Sequence, residues 1–115
     1  MKRRRLGTFT VWEPSNRRER ARGLLGRDGL GQHEAMWLSR CRSVHTFGMR
    51  FVIDVVMIDR DDQVLGVARM EPRRVLFPRL RTRHIVEVAA GRSAAFTRSL
   101  AARTTRDARS SEHQA

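Results

Sequence analysis

The run Val52-Ile53-Asp54-Val55-Val56-Met57-Ile58 constrains this chain more than any other stretch, because apolar, largely β-branched residues fill it and a single acid interrupts it. Successive side chains of a strand point to opposite faces, so Val52, Asp54, Val56 and Ile58 share one face while Ile53, Val55 and Met57 share the other. A strand that is apolar on both faces belongs inside a covered sheet. An ionised carboxylate there is expensive unless it is hydrogen bonded or paired. Asp54 therefore either accepts backbone N–H groups, from Gly48 or a glycine-rich loop, and organises the fold, or contacts a ligand. Both readings stay open at this level.

Flanking segments predict a mainly β domain. Leu6 to Trp12 reads as a first strand with Phe9 and Val11 inward, ended by Pro14. Ser15 is the expected cap of a helix whose apolar stripe is Ala21, Leu24 and Leu25. The glycines from Gly23 to Gly31 predict a looping connection, and Met36-Trp37-Leu38 a short buried segment. If Val44 to Phe51 is extended, His45, Phe47, Met49 and Phe51 share a face. Asp59 to Asp62 predicts a turn, with a return strand over Gln63 to Met70. Pro72 and Pro78 bracket an edge or connecting segment, Val75 to Phe77. His84 to Ala89 predicts another strand, ended by Gly91 and carrying a second acid, Glu87. Ser93 is placed to cap a short C-terminal helix bearing Phe96 and Leu100, after which hydrophobic periodicity fades. The expected division is a basic N-terminal arm over residues 1–5, a single domain over 6–103 and a flexible tail over 104–115.

A chain of 115 residues is long enough for one core and short for two domains. Its lone Cys41 excludes an intrachain disulfide, and the expected setting is reduced and cytoplasmic. No apolar run reaches the roughly 20 residues that cross a bilayer, and Met1 to Arg5 precedes no signal-like hydrophobic segment. The formal charge of +12, from 24 basic and 12 acidic residues, attracts polyanions without specifying one.

Three ordered blocks carry a family resemblance: Arg20-Ala21-Arg22-Gly23-Leu24-Leu25-Gly26-Arg27, then Val44 to Asp59 with its Val-His-Thr-Phe-Gly-Met opening, then Glu87-Val88-Ala89-Ala90-Gly91. From Trp12 to Gly91 the chain resembles the domain of unknown function 192 (DUF192) family. The resemblance implies a small β-sandwich or barrel-like fold with one N-terminal helix, and no established chemistry. The chain departs from the family pattern in carrying Leu25 in place of a frequent methionine, Val52 in place of a common proline and Asp62 in place of a turn glycine. It also offers no final strand after Gly91, which leaves a sheet edge for self-association.

The residues these readings single out as ligand contacts are His45, Thr46, Arg50, Asp54 and Arg27, with Arg22, Gly23, Gly48, Glu87 and Gly91 as structural support. Histidine titrates near ~6.5 and suits proton transfer, and guanidinium forks suit anions. Glu87 is expected to pair with an arginine and hold an edge strand against the helix. His33, Cys41, His45 and His84 lack compact metal-ligand spacing, so no metal or cofactor is expected. The leading expectation is a binding or accessory module for a polar or anionic ligand or a protein partner. Its alternatives are an acid-base enzyme using His45 and Asp54, or a basic protein that associates with nucleic acid non-specifically.

Overall fold

The computed structural model describes residues 1–114, with side chains through residue 110. In chain order the elements are β1 (Lys2–Leu6), β2 (Phe9–Glu13), α1 (Arg17–Arg22), β3 (Glu34–Leu38), β4 (Val44–His45), β5 (Ile53–Ile58), β6 (Val64–Met70), β7 (Val75–Leu76), β8 (His84–Ala89) and α2 (Ser93–Gln114). Six strands form one mixed sheet in the order β1-β2-β3-β8-β5-β6, and β4 pairs with β7 in a separate two-stranded sheet. The large sheet is open, with β1 and β6 at its edges. It is therefore not a closed barrel, and its layers are helix, sheet and small sheet rather than two comparable sheets.

The doubly apolar strand β5 lies inside the sheet, as its pattern predicts, and β8, expected at an edge through Glu87, is central as well. β8 runs antiparallel between β3 and β5, and β5 continues antiparallel into β6. On one face Val56, Ile58, Val86 and Val88 pack with Phe9, Val11 and Trp37 beneath Phe96 and Leu100 of α2. Phe96 meets Phe9 edge-on, with centroids 5.4 Å apart, a geometry that adds about 1 kcal/mol beyond burial. On the other face Met36, Leu38, Ile53, Val55 and Ile85 lie under Leu24 and Met49. That cover arises from topology: β2 and β3 are parallel, so the chain between them must cross over the sheet, and α1 with its following turns makes the crossing.

Several local expectations change. The basic segment 1–5 is no free arm: Lys2 to Leu6 form β1, paired with β2 from Lys2↔Glu13 to Leu6↔Phe9. Aromatic faces hold it, with the Arg4 guanidinium 4.7 Å from the Trp37 ring centroid and that of Arg3 5.8 Å from Trp12, each a cation–π contact. The strand expected over Leu6 to Trp12 is thus split by a turn at Gly7-Thr8. Asn16, not Ser15, caps α1 by accepting the Glu19 N–H, and Glu19 Oε1 accepts the Ser15 N–H in return. Leu24 and Leu25 lie beyond the helix end. After His45 the chain turns instead of extending, leaving Met49 buried and Phe47 exposed.

The helix α2 runs through Gln114, so the segment expected to be a flexible tail is helical as far as it is described; Ala115 lies outside the described residues. Asp62, where the resemblance leads to glycine, has φ 59°, a left-handed conformation that aspartate adopts more readily than most residues.

Candidate functional site

The buried acids of the central strands face opposite ways. Asp54 shares its face with Val56 and Ile58, and Glu87 shares the other with Ile85 and Val55. Asp54 is fully engaged: Oδ1 accepts from Arg69 Nε at 3.0 Å, and Oδ2 accepts from the Gly91 N–H at 2.9 Å. Arg69 is its cross-strand partner on β6. Gly91 has φ 87°, a conformation that a glycine adopts without a Cβ penalty, and this presents its N–H to the carboxylate just past β8. The arrangement ties the end of β8 to β5 and β6.

Glu87 is placed differently. It occupies the centre of the sheet, in register with Met36 of β3 and Val55 of β5, both buried and apolar. Only 5% of it is exposed, no arginine pairs with it among the described residues, and burial pushes its carboxyl up to about 7. The expected edge-strand ion pair is absent because β8 is central and the arginines of α1 stand above the sheet rather than on it.

Over Glu87 lies a cavity of about 250 Å³. Leu24, Leu38, Val44 and Met49 supply apolar wall, Cys41 and His45 line it from the β4 side, and Arg20 and Arg22 stand at the α1 side. The turn carrying Met49 fits against this wall because residue 48 is glycine: φ is 82°, and a Cβ there would come within 3.1 Å of Leu25 Cδ2. Gly23 ends α1 by donating its N–H to the Glu19 carbonyl at 2.8 Å, which turns Leu24 into the cover. Burial pushes the Cys41 thiol up, and its Sγ donates to the Ser43 carbonyl at 3.1 Å. Cys41 is thus a polarisable wall residue rather than an activated nucleophile.

The other singled-out residues divide between fold and surface. Thr46 is fully buried; its Oγ1 donates to the Glu71 carbonyl at 2.6 Å and accepts from the Arg74 N–H at 2.8 Å, binding the turn after β4 to the segment before β7. Arg27 bonds Glu34 at 3.1 Å, and Arg50 bonds Asp28 at 3.0 Å. His45 is exposed, with its ring 5.6 Å from that of Phe47. The structure therefore brings His45, Arg22, Gly23 and Glu87 to one cavity, while Asp54, Thr46, Arg27 and Arg50 bond elsewhere. Sequence reasoning missed Arg20, Leu38 and Cys41 as wall residues, and no local pattern signals them. Glu87 carried a signal, an acid enclosed by Ile85, Val86 and Val88, equal in kind to that of Asp54.

Among the described residues no three of His, Cys, Asp or Glu converge on a point that would hold a metal ion, and no described helix is long and apolar enough to cross a membrane.

Residues 2–99 match the model of the family described as DUF192, an uncharacterised family. Among curated proteins none matches. Two solved structures share the fold: a protein of unknown function from Novosphingobium aromaticivorans, at 21% identity and a TM-score of 0.62 over 76% of this chain and 69% of the other, and a putative transcription regulator from Sinorhizobium meliloti, at 18% identity and a TM-score of 0.66 over 76% and 73%.

Proposed function

We propose that this chain, which belongs to the DUF192 family, is a binding module whose cavity beneath α1 takes a small, mainly apolar molecule carrying a neutral hydrogen-bond donor, with Glu87 as the acceptor. The observation that carries the reading is a buried carboxyl with no hydrogen-bond or ion-pair partner among the described residues, standing at an open cavity. Buried polar groups are nearly always hydrogen bonded within the fold, and an orphan is costly for a protein that only needs to fold. Concave apolar walls with one convergent polar group are the usual form of a small-molecule site.

The chemistry of the walls narrows the ligand. An aliphatic body suits Leu24, Leu38, Val44 and Met49, and about 250 Å³ lies below the range that accommodates drug-sized molecules. Arg20 and Arg22 disfavour a cationic head, so a hydroxyl or an amide N–H fits better than an ammonium group. Pentan-1-ol and pentanamide, with pentylamine as the charged control, test this by amide and side-chain NMR. Saturable shifts confined to Leu24, Leu38, Met49 and Glu87, lost in Glu87→Leu, are the expected result. Saturable shifts elsewhere, or none, would overturn the reading.

A second reading has one specific observation in its favour. A carboxyl held at about 7 is matched to general acid or base work near neutral pH, which makes Glu87, rather than His45 with Asp54, the candidate for acid-base chemistry. A turnover assay on a ligand identified above would then show an ionisation near pH 7 that Glu87→Gln abolishes.

A further inference from the structure

At the opposite end of β8 from Gly91, the chain segments around Arg40, Asp59 and Arg81 enclose an open groove of about 1100 Å³. Five arginines line it: Arg40, Arg42, Arg60, Arg81 and Arg83. Among the described residues none of the five is in an ion pair, whereas Arg27, Arg50, Arg69, Arg74 and Arg103 all are. Two acids also border the groove. One of them, Asp59, is committed to its own turn, with Oδ1 accepting from the Asp61 N–H at 2.8 Å and the Gln63 N–H at 3.0 Å. The groove keeps a surplus of positive charge even when Asp59 and Asp61 are both counted.

An independent observation points to a ligand. Thr82 lies on the groove wall, is 3% exposed, and its hydroxyl has no hydrogen-bond partner among the described residues. The walls are fixed by backbone hydrogen bonds, from Cys41 N–H to the Arg83 carbonyl at 2.9 Å and from Arg83 N–H to the Ile58 carbonyl at 2.7 Å. His84 joins the same frame, its Nδ1 accepting from the Arg40 N–H at 3.3 Å, and burial lowers its pKa. Its other ring nitrogen then carries the proton, making His84 a neutral donor.

We infer that this groove binds a di- or triphosphate group, held by the unpaired guanidiniums with the Thr82 hydroxyl as a further donor. Guanidinium forks match phosphate oxygens two at a time, and five guanidiniums against two carboxylates leave a net +3, more than one monophosphate neutralises. A single-stranded nucleic acid fits less well, because its bases need aromatic platforms and the groove wall contains no Phe, Tyr or Trp. The phosphate group can belong to an inorganic chain or to a nucleotide, and the groove is separate from the cavity over Glu87.

Calorimetry at about 150 mM salt tests the inference with tripolyphosphate, ATP, adenosine and a deoxythymidine oligonucleotide as probes. Tripolyphosphate is expected to bind saturably and adenosine not at all; ATP binding more tightly than tripolyphosphate assigns the source to a nucleotide, and equal or weaker binding to an inorganic chain. The double variant Arg81→Gln/Arg83→Gln is expected to weaken binding at least about tenfold, and Thr82→Val about fivefold, each with an unchanged amide spectrum away from the groove. The charge-matched variant Arg106→Gln/Arg109→Gln, on α2, is expected to leave affinity nearly unchanged. Absence of saturable binding, an equal loss in the α2 variant, Thr82→Val without effect, or an oligonucleotide that outcompetes tripolyphosphate would each overturn it.

Discussion

Asp54 and Glu87 occupy neighbouring strands at the middle of one sheet, each beside a hydrophobic residue of the other's strand, Asp54 opposite Val88 and Glu87 opposite Val55. Asp54 faces the α2 side and finds a cross-strand arginine and a backbone N–H waiting for it. Glu87 faces the α1 side and finds methionine, leucine, valine and a cavity. Burial is nearly the same for both, so the difference lies wholly in the partners. An acid supplied with donors at both oxygens is an element of the fold. An acid without such donors, in a shaped hollow, is the one on which the proposed binding site rests.

The largest expected effect separates the two by pH. The carboxyl of Glu87 is at about 7 in the folded protein against 4.5 in its ordinary state, so between those values the native state binds more protons than the unfolded one, and stability falls as pH rises. That loss is on the order of 3 kcal/mol by pH 8, from 1.36 kcal/mol per pKa unit. Glu87→Gln cannot ionise, so urea unfolding at pH 4.5 and pH 8 should show the variant gaining about that much relative to the natural protein as pH rises. A constant difference across the window would contradict the raised Glu87 carboxyl.

Replacing Asp54 has the opposite character. Asp54→Ala leaves the Gly91 N–H without its acceptor and is expected to cost about 2 kcal/mol at neutral pH, read as a lower urea midpoint with an unchanged slope. It should leave the saturable shifts of pentan-1-ol at the Glu87 cavity in place, since Asp54 faces away from it. Loss of those shifts would mean that the two acids form one unit after all. The smallest effect belongs to Arg69→Ala: the guanidinium stands mostly in solvent, and exposed partners contribute little. A midpoint shift in that variant smaller than half that of Asp54→Ala would assign the main constraint to the Gly91 N–H.

The central strands were legible because their signal is local. Ile53 to Ile58 is apolar on both faces, and that alone places it inside a covered sheet, whereas His84 to Ala89 is legible as a strand but owes its central place to pairing with β3 and β5. The need of Asp54 for backbone donors also followed from burial, although the donor is Gly91 rather than Gly48. Other features depend on partners distant in the chain. Lys2 to Arg5 carry no apolar periodicity, yet they form a strand because Trp12 and Trp37 lie under Arg3 and Arg4. The second half of α2 is polar all round, a pattern that predicts a flexible tail over 104–115; its helical state is reinforced by contacts such as Arg103 with Asp107 one turn apart. Arg27 and Arg50 look no different in sequence from Arg81 and Arg83, and only the folded positions of Glu34 and Asp28 distinguish them from arginines without an ion pair among the described residues. Glu87 carries a local signal as an acid among β-branched residues, but the cavity wall over it comes from α1 and β4 and has no local signature.

The most direct measurement is a carbon-13 NMR titration of the Glu87 side-chain carboxyl in the folded protein, with Asp54 followed in the same spectra. A midpoint at about 7 for Glu87, displaced on addition of pentan-1-ol while the Asp54 signal stays fixed, is the predicted result. A Glu87 midpoint near the ordinary 4.5, unmoved by the alcohol, would contradict the account.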